Sequence, residues 1–123
     1  MLREIILVGL GGFIGSVGRY GVGLLCGGIS PTFPVATLIV NLLGCFGIGF
    51  GMAMVGSSES PNNSLYLFLV VGMLGGFTTF SAFGYQTVTL LREGQAVYAL
   101  GNVAAHTVFC LVAVVLGSWV AVR

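Results

Sequence analysis

The sequence Leu74-Gly75-Gly76-Phe77-Thr78-Thr79-Phe80-Ser81-Ala82-Phe83 lies at the centre of a long apolar stretch. The surrounding residues 64–91 contain no Asp, Glu, Lys or Arg. A straight helix of that length spans roughly 40 Å, against a hydrocarbon core of roughly 30 Å. The paired glycines and threonines therefore predict a membrane helix broken at its centre. Because non-helical backbone at that depth must be buried by protein or reached by water, the break predicts a pore, a binding site or a bound ion.

The composition of the whole chain is that of a membrane protein. Hydrophobic residues make up 57% of the 123 residues and charged residues only 6%, which excludes an ordinary soluble domain. The length accommodates four spans of about 20 residues with short connections. We therefore expect one four-helix transmembrane domain over residues 1–123, with helices at about 4–26, 33–55, 64–91 and 96–120.

Several classes of function are disfavoured by what the sequence contains. A formal net charge of +1 offers no basic patch for the phosphates of a nucleic acid. The three cysteines, Cys26, Cys45 and Cys110, lie far apart in apolar segments, without the spacing of a zinc site or of a disulfide framework. No nucleophile and base are paired in a recognisable motif, so we do not expect an enzyme.

The positive charges give no preferred orientation in the membrane. With four spans, Arg3 and Arg123 share one side, whereas Arg92 lies on the other side and Arg19 lies toward that same end of the first helix. The positive-inside rule then counts two against two. Either the chain inserts both ways and pairs head to tail, or one weak signal dominates.

Neutral polar residues, and no acidic ones, are predicted inside the spans. Glu4, Glu59 and Glu93 all fall at a terminus or in a predicted loop. Proton-coupled carriers of organic cations are expected to need an intramembrane carboxylate, and none is predicted here. The neutral candidates, several spaced four residues apart on one helix face, are Thr37, Asn41, Thr78, Thr79, Ser81, Asn102, His106 and Thr107.

Each notable side chain has a structural interpretation beside the functional one. Asn41 either only links two helices by a hydrogen bond or takes part in the site, and His106 is either a packed histidine or part of a pathway wall. Phe80 and Phe83 share a helix face, where packing against lipid or core is an ordinary role. Arg19 either extends to the membrane interface or provides a fixed positive charge near a vestibule.

Three blocks of sequence carry a resemblance to a known family. They are Gly11-Gly12-Phe13-Ile14-Gly15-Ser16-Val17-Gly18-Arg19-Tyr20, then Thr37-Leu38-Ile39-Val40-Asn41-Leu42-Leu43-Gly44, and the stretch Gly72–Phe83 that includes the predicted break. In this order and at this chain length, they resemble the small Fluc-type fluoride channels, also called CrcB proteins. The fourth helix is similar only in character, because His106 and Cys110 stand on a face where relatives often present serine or threonine.

The resemblance implies an antiparallel, dual-topology homodimer in the bacterial plasma (inner) membrane, which passively exports cytoplasmic fluoride and so relieves its toxicity. Each of two pores would be lined by Phe80, Phe83 and Asn41, with a structural sodium ion on the backbone carbonyls of Gly75 and Thr78. The remaining candidates for the pore and its vestibule are Thr37, Thr79, Ser81, His106 and Arg19.

Two alternatives are weighed against the fluoride channel. A small dimeric multidrug-type exporter would share the size, the four helices and the dual topology, but it is disfavoured by the missing intramembrane acid. A non-transporting assembly subunit, held together by glycine-mediated helix contacts, is the other. The partners that follow from the leading hypothesis are fluoride, membrane lipid and a second copy of the chain.

Overall fold

The computed structural model describes residues 1–55 and 64–123; the predicted loop at 56–63, with Glu59, lies outside the described residues. Within the described residues there are four helices that are long and apolar enough to cross a membrane. They are α1 (Leu2–Cys26), α2 (Val35–Val55), a third span (Ser64–Arg92) and α6 (Ala96–Ala121). The prediction of an all-α protein with four apolar spans is confirmed.

The helices are apolar on nearly all sides, as expected for helices that lipid surrounds. Large hydrophobic side chains are exposed on each of the four spans, for example Phe13 on α1, Leu43 on α2 and Leu111 on α6. A helix satisfies its own backbone hydrogen bonds, so it can expose such a surface to hydrocarbon without cost to its polar groups. The small protein core lies where the third span, α2 and α6 meet.

The third span is one joined, bent helix that consists of four helical segments. It begins with the turn α3 (Ser64–Tyr66) and continues through Leu67–Leu74, a segment with the wider hydrogen-bond pattern of a π-helix. A short turn, α4 (Gly75–Phe77), and a longer helix, α5 (Phe80–Arg92), follow. Between them Thr78 (φ −76°, ψ 158°) and Thr79 (φ −152°, ψ 116°) have extended backbone dihedral angles.

Glycine allows α1 to approach the third span at the distance of backbone contact. A Cβ atom added to Gly76 would lie 2.5 Å from the carbonyl oxygen of Gly12, and one added to Gly15 would overlap the carbonyl oxygen of Met73. Small residues four apart are the usual means of such close packing in membranes. This contact fixes the position of α1 along the axis of the third span, relative to the bend.

Helix α6 packs most extensively against α2, again through glycine. A Cβ atom at Gly49 or at Gly117 would overlap backbone of the opposite helix, and the Ser118 hydroxyl donates to the Gly49 carbonyl at 3.1 Å. Asn102, which is fully buried, and His106 lie on the inner face of α6. The close contact therefore brings polar side chains of α6 beside α2 and the bend.

Candidate functional site

A cavity of about 420 Å³ lies between α2, the third span and α6, beside the bend. Seven of the residues predicted for the site line it: Asn41, Gly75, Thr78, Thr79, Phe80, Phe83 and His106. The sequence analysis did not assign the other lining residues to the site: Gly44, Cys45, Ile48, Val70, Leu74, Thr107 and Cys110. Thr37, Ser81 and Arg19 are not among the lining residues.

Asn41 fastens α2 to the extended backbone at the bend. Its Nδ2 donates to the carbonyl oxygen of Thr79 at 3.0 Å, and the N–H of Thr79 donates to Oδ1 of Asn41 at 2.8 Å. The side chain is only 8% exposed. Both backbone groups of Thr79 that leave the helical pattern are therefore satisfied, and one N–H of the Asn41 amide remains uncommitted by these bonds.

Thr78 is the other residue with extended backbone. Hydrogen bonds from α1 and within the third span hold it in place. Its backbone N–H and its hydroxyl both donate to the carbonyl oxygen of Leu74, each at 3.0 Å. Its own carbonyl oxygen accepts a hydrogen bond from Nη1 of Arg19 at 3.3 Å. The half-buried Arg19 thus reaches the bend, next to the cavity, with its positive charge.

The side chain of Thr79 starts α5. Its Oγ1 accepts a hydrogen bond from the N–H of Ala82 at 3.2 Å, which is the geometry of a helix N-cap. The same oxygen lies 3.2 Å from the hydroxyl of Ser81, which is exposed. Two predicted hydroxyl groups are therefore adjacent at the edge of the cavity.

Three rings form a continuous row from the exposed edge of the cavity to its buried wall. The ring centroids of Phe80 and Phe83 are 5.4 Å apart with an interplanar angle of 54°, and those of Phe83 and His106 are 4.5 Å apart at 41°. Phe80 is 82% exposed, Phe83 is half-buried and His106 is buried. A tilted arrangement directs ring edges, the positive part of the aromatic quadrupole, toward neighbouring space.

The orientation of His106 follows from its partner. Its Nδ1 lies 3.0 Å from the backbone oxygen of Asn102, and because a carbonyl only accepts, Nδ1 carries the proton. Nε2 is buried, and no atom of the described residues meets hydrogen-bond geometry with it. A neutral His106 therefore presents an acceptor at Nε2. Thr37 is buried outside the cavity lining.

Thr87 belongs to the hydrogen-bond network that includes Asn102 and His106, and the sequence analysis missed it. Its hydroxyl donates to the carbonyl oxygen of Phe83 at 2.8 Å and accepts from Nδ2 of Asn102 at 2.9 Å. The signal available was its position four residues after Phe83, on the same helix face. Thr87 fixes the side chain of Asn102, whose backbone in turn holds His106.

The described lining of the cavity contains no acidic side chain. Among residues 1–55 and 64–123, no three His, Cys, Asp or Glu side chains converge in a way that could hold a metal ion. Any cation at this site would therefore rely on backbone oxygens or on fewer side chains. An anion would meet neutral groups, with Arg19 as the fixed positive charge at the bend.

Comparison with known proteins identifies one family that matches nearly the full chain. Residues 6–118 match the family model described as "CrcB-like protein, Camphor Resistance (CrcB)". The chain is 44% identical over 119 residues to the fluoride-specific ion channel FluC of Ruminiclostridium cellulolyticum, a match that covers 96% of this chain and 92% of the relative. It is 44% identical over 117 residues to FluC of Paracoccus denitrificans (95% and 93%) and 45% identical over 119 residues to FluC of Elusimicrobium minutum (95% and 92%).

Proposed function

The chain belongs to the CrcB-like family, and on that basis we propose that it is a fluoride-specific ion channel that exports cytoplasmic fluoride passively. The observation that carries the proposal is its similarity, over nearly the full chain, to relatives named fluoride-specific ion channels. The protein is a multi-pass membrane protein of the bacterial inner membrane and an ion channel rather than an enzyme.

The cavity suits fluoride because it offers donors without a trapping charge. Fluoride is small, strongly hydrated and only accepts hydrogen bonds, so a pathway must replace its water with donors. The uncommitted N–H of Asn41 can do this, together with the one hydroxyl hydrogen that the mutual bond of Thr79 and Ser81 leaves free. The ring edges of Phe80 and Phe83 add contacts of about 1 kcal/mol each, by analogy with aromatic pairs, which still allow the ion to leave.

Other predicted residues take supporting places in the proposal. His106 closes the buried end of the ring row, and Thr37 lies behind it on α2. Arg19 raises the local concentration of anions by its charge. The absence of an acidic side chain from the described lining disfavours the multidrug-type exporter, which would need a group that exchanges a proton for its substrate.

We further propose that the functional unit is an antiparallel, dual-topology homodimer of a single four-helix domain. Phe80 is 82% exposed and Gly75 is also exposed, so one subunit leaves the aromatic row uncovered on one side. A second copy would complete the wall and exclude lipid from it. The balanced positive charges at Arg3, Arg92 and Arg123, with Arg19, are compatible with insertion in both directions.

The bend of the third span is proposed to be a functional break that holds a sodium ion in the dimer. In a regular helix the Thr79 N–H would bond the carbonyl oxygen of Gly75, but here it donates to Asn41 instead. The Gly75 oxygen is thereby released, and the Thr78 oxygen has a second lone pair beside its bond from Arg19. Backbone carbonyl oxygens are suitable ligands for a hard cation. The bound ion would supply the positive charge that makes converging carbonyls tolerable at membrane depth.

Passive export is sufficient for protection because of the chemistry of hydrogen fluoride. The neutral weak acid crosses the membrane and ionises in the cytoplasm, where fluoride accumulates above its external level. A selective leak then removes it without energy coupling.

The test in cells uses a bacterial strain that lacks its own fluoride exporter. Expression of this chain is expected to restore growth in fluoride and to lower cytoplasmic fluoride, whereas the variant Phe80→Ile, expressed at the same level, is expected to do both to a smaller extent. Full-length protein in the membrane without any gain in fluoride tolerance would contradict the proposal.

A further inference from the structure

Two thiols that the proposed fluoride pathway does not use lie at the same level of the cavity wall. Cys45 on α2 and Cys110 on α6 both line the cavity, and both are free thiols. Each lies one helical turn before a backbone contact of the two helices, where a Cβ atom added to Gly49 would overlap the carbonyl oxygen of Val114. The helices that carry them make the most extensive helix contact in the described structure. The fold therefore places the two thiols at the same level of two closely packed helices, and both are reachable from the cavity.

The number of ligands restricts what this pair can bind. No third His, Cys, Asp or Glu among the described residues converges with the two thiols. Zinc takes four ligands in a tetrahedral site, so two sulfurs do not satisfy it. Thiolates select soft metals, and soft d¹⁰ ions such as mercuric ion accept two sulfur ligands in a nearly linear arrangement.

The charge balance of the site selects a divalent ion. The lining is mostly apolar and contains no acidic side chain, so a net charge left on the wall would be costly. Two thiolates neutralise a divalent cation fully, whereas they leave a negative complex with a monovalent one. We propose that Cys45 and Cys110 together bind one soft divalent cation of the mercuric class. Each thiol releases one proton, two sulfur–metal bonds form, and no electrons are transferred.

Binding there would affect ion flow if the cavity is the fluoride pathway, and this consequence rests on the proposed function. Cys110 lies one helical turn from His106 on α6, and His106 contacts the ring of Phe83. The metal would bridge α2 to α6 beside the ring row and narrow the cavity. We expect Hg²⁺ to inhibit fluoride efflux through this site.

The binding test uses the full-length protein in detergent. After addition of Hg²⁺ and washing with a competing monothiol, the wild type and the control variant Cys26→Ser are expected to retain one mercury per chain. Cys26 is the matched control because it is a free thiol at the end of α1 and outside the cavity lining. Cys45→Ser and Cys110→Ser are expected to bind about 10²-fold more weakly, because the second thiol acts at high effective concentration. Equal retention by these variants and the wild type would overturn the proposal.

A second measurement avoids the variants and any folding defect they cause. Hg²⁺ at one equivalent is expected to protect Cys45 and Cys110 of the wild type from alkylation, as shown by peptide mass mapping, while Cys26 remains reactive. Alkylation of all three at the rates found without metal would overturn the site.

Efflux from liposomes separates the two proposals. Wild-type protein that retains mercury but carries no fluoride before metal is added would refute the channel and leave the site standing. Protein that carries fluoride, fails to retain mercury and is not inhibited by it would refute the site alone. With both correct, Hg²⁺ is expected to inhibit the wild type and Cys26→Ser at least tenfold more than Cys110→Ser, each relative to its own untreated rate.

Discussion

The side-chain amide of Asn41 pairs with the backbone of Thr79, 38 residues later in the chain, as donor to its carbonyl oxygen and as acceptor from its N–H. The pair lies at the bend of the third span, where neutral polar groups line the cavity. The same residue thus supports the bend and offers the cavity a donor. Removal of Asn41 is therefore expected to impair structure and transport together.

Asn41→Asp is expected to destabilise the protein strongly. The carboxylate can accept from the Thr79 N–H but cannot donate to the Thr79 oxygen, and an unsatisfied buried group costs about 1–3 kcal/mol. Thr107→Asp is the control, because it places the same carboxylate on the cavity wall at a residue whose hydroxyl bonds only within α6, to the carbonyl oxygen of Val103. Thermal unfolding in detergent should show the larger decrease for Asn41→Asp. Equal decreases would mean that buried charge alone, and not the Asn41–Thr79 pair, explains the effect.

Phe80→Ile and Phe83→Ile are each expected to reduce fluoride efflux by about fivefold, since loss of an aromatic contact of about 1 kcal/mol corresponds to that factor. Phe109→Ile is the control: this ring is 54% exposed and lies outside the cavity lining. Fluoride-electrode recordings from liposomes at equal protein density provide the measurement. Unchanged efflux in both cavity variants would remove the aromatic row from the pathway.

Gly15→Ala is expected to destabilise the protein by about 1–3 kcal/mol, because the new Cβ atom meets backbone of the third span, which cannot move aside as a side chain can. Gly9→Ala, on the same helix with no atom within 4 Å of its added Cβ, is expected to be neutral or to stabilise by about 0.5–1 kcal/mol. Thermal unfolding of both variants tests this. A Gly15→Ala protein as stable as Gly9→Ala would refute the close contact of α1 with the third span.

Replacement of sodium by a bulky organic cation throughout purification and reconstitution is expected to abolish efflux or to dissociate the proposed dimer. The physical reason is that the Gly75 and Thr78 carbonyls would lose the charge that stabilises them. Efflux and oligomeric state are measured before and after sodium is restored. Full activity and assembly without sodium would exclude a structural role for the ion.

The gross fold could be predicted because it depends on local composition. Apolar runs of span length, separated by glycine, proline and polar residues, predict four spans, and four are found within residues 1–55 and 64–123. The pair Thr78-Thr79 predicts an interruption of the helix, because β-branched hydroxyl residues beside glycines are poor helix formers at the centre of a span. Both have extended dihedral angles within a span that remains joined.

The contacts of the candidate site could be predicted only in part. The four-residue spacing of Asn102 and His106 correctly placed both on one face of α6. That Asn41 bonds to Thr79, and Arg19 to Thr78, depends on how three helices pack, and no local pattern encodes such long-range pairs. The π-helical segment Leu67–Leu74 has no sequence signal that we recognise. The roles of the site residues in transport stay predictions.

Anion efflux from liposomes that contain purified protein distinguishes a fluoride-specific channel from a non-selective or inactive protein. Fluoride and chloride are loaded into the same vesicles, and the membrane potential is clamped with a potassium ionophore so that each anion can follow its gradient. We expect rapid loss of fluoride, with chloride retained, because the donors around Asn41 and the ring edges of Phe80 and Phe83 replace the water of the smaller ion. Equal loss of both anions, or retention of both, would contradict the proposal.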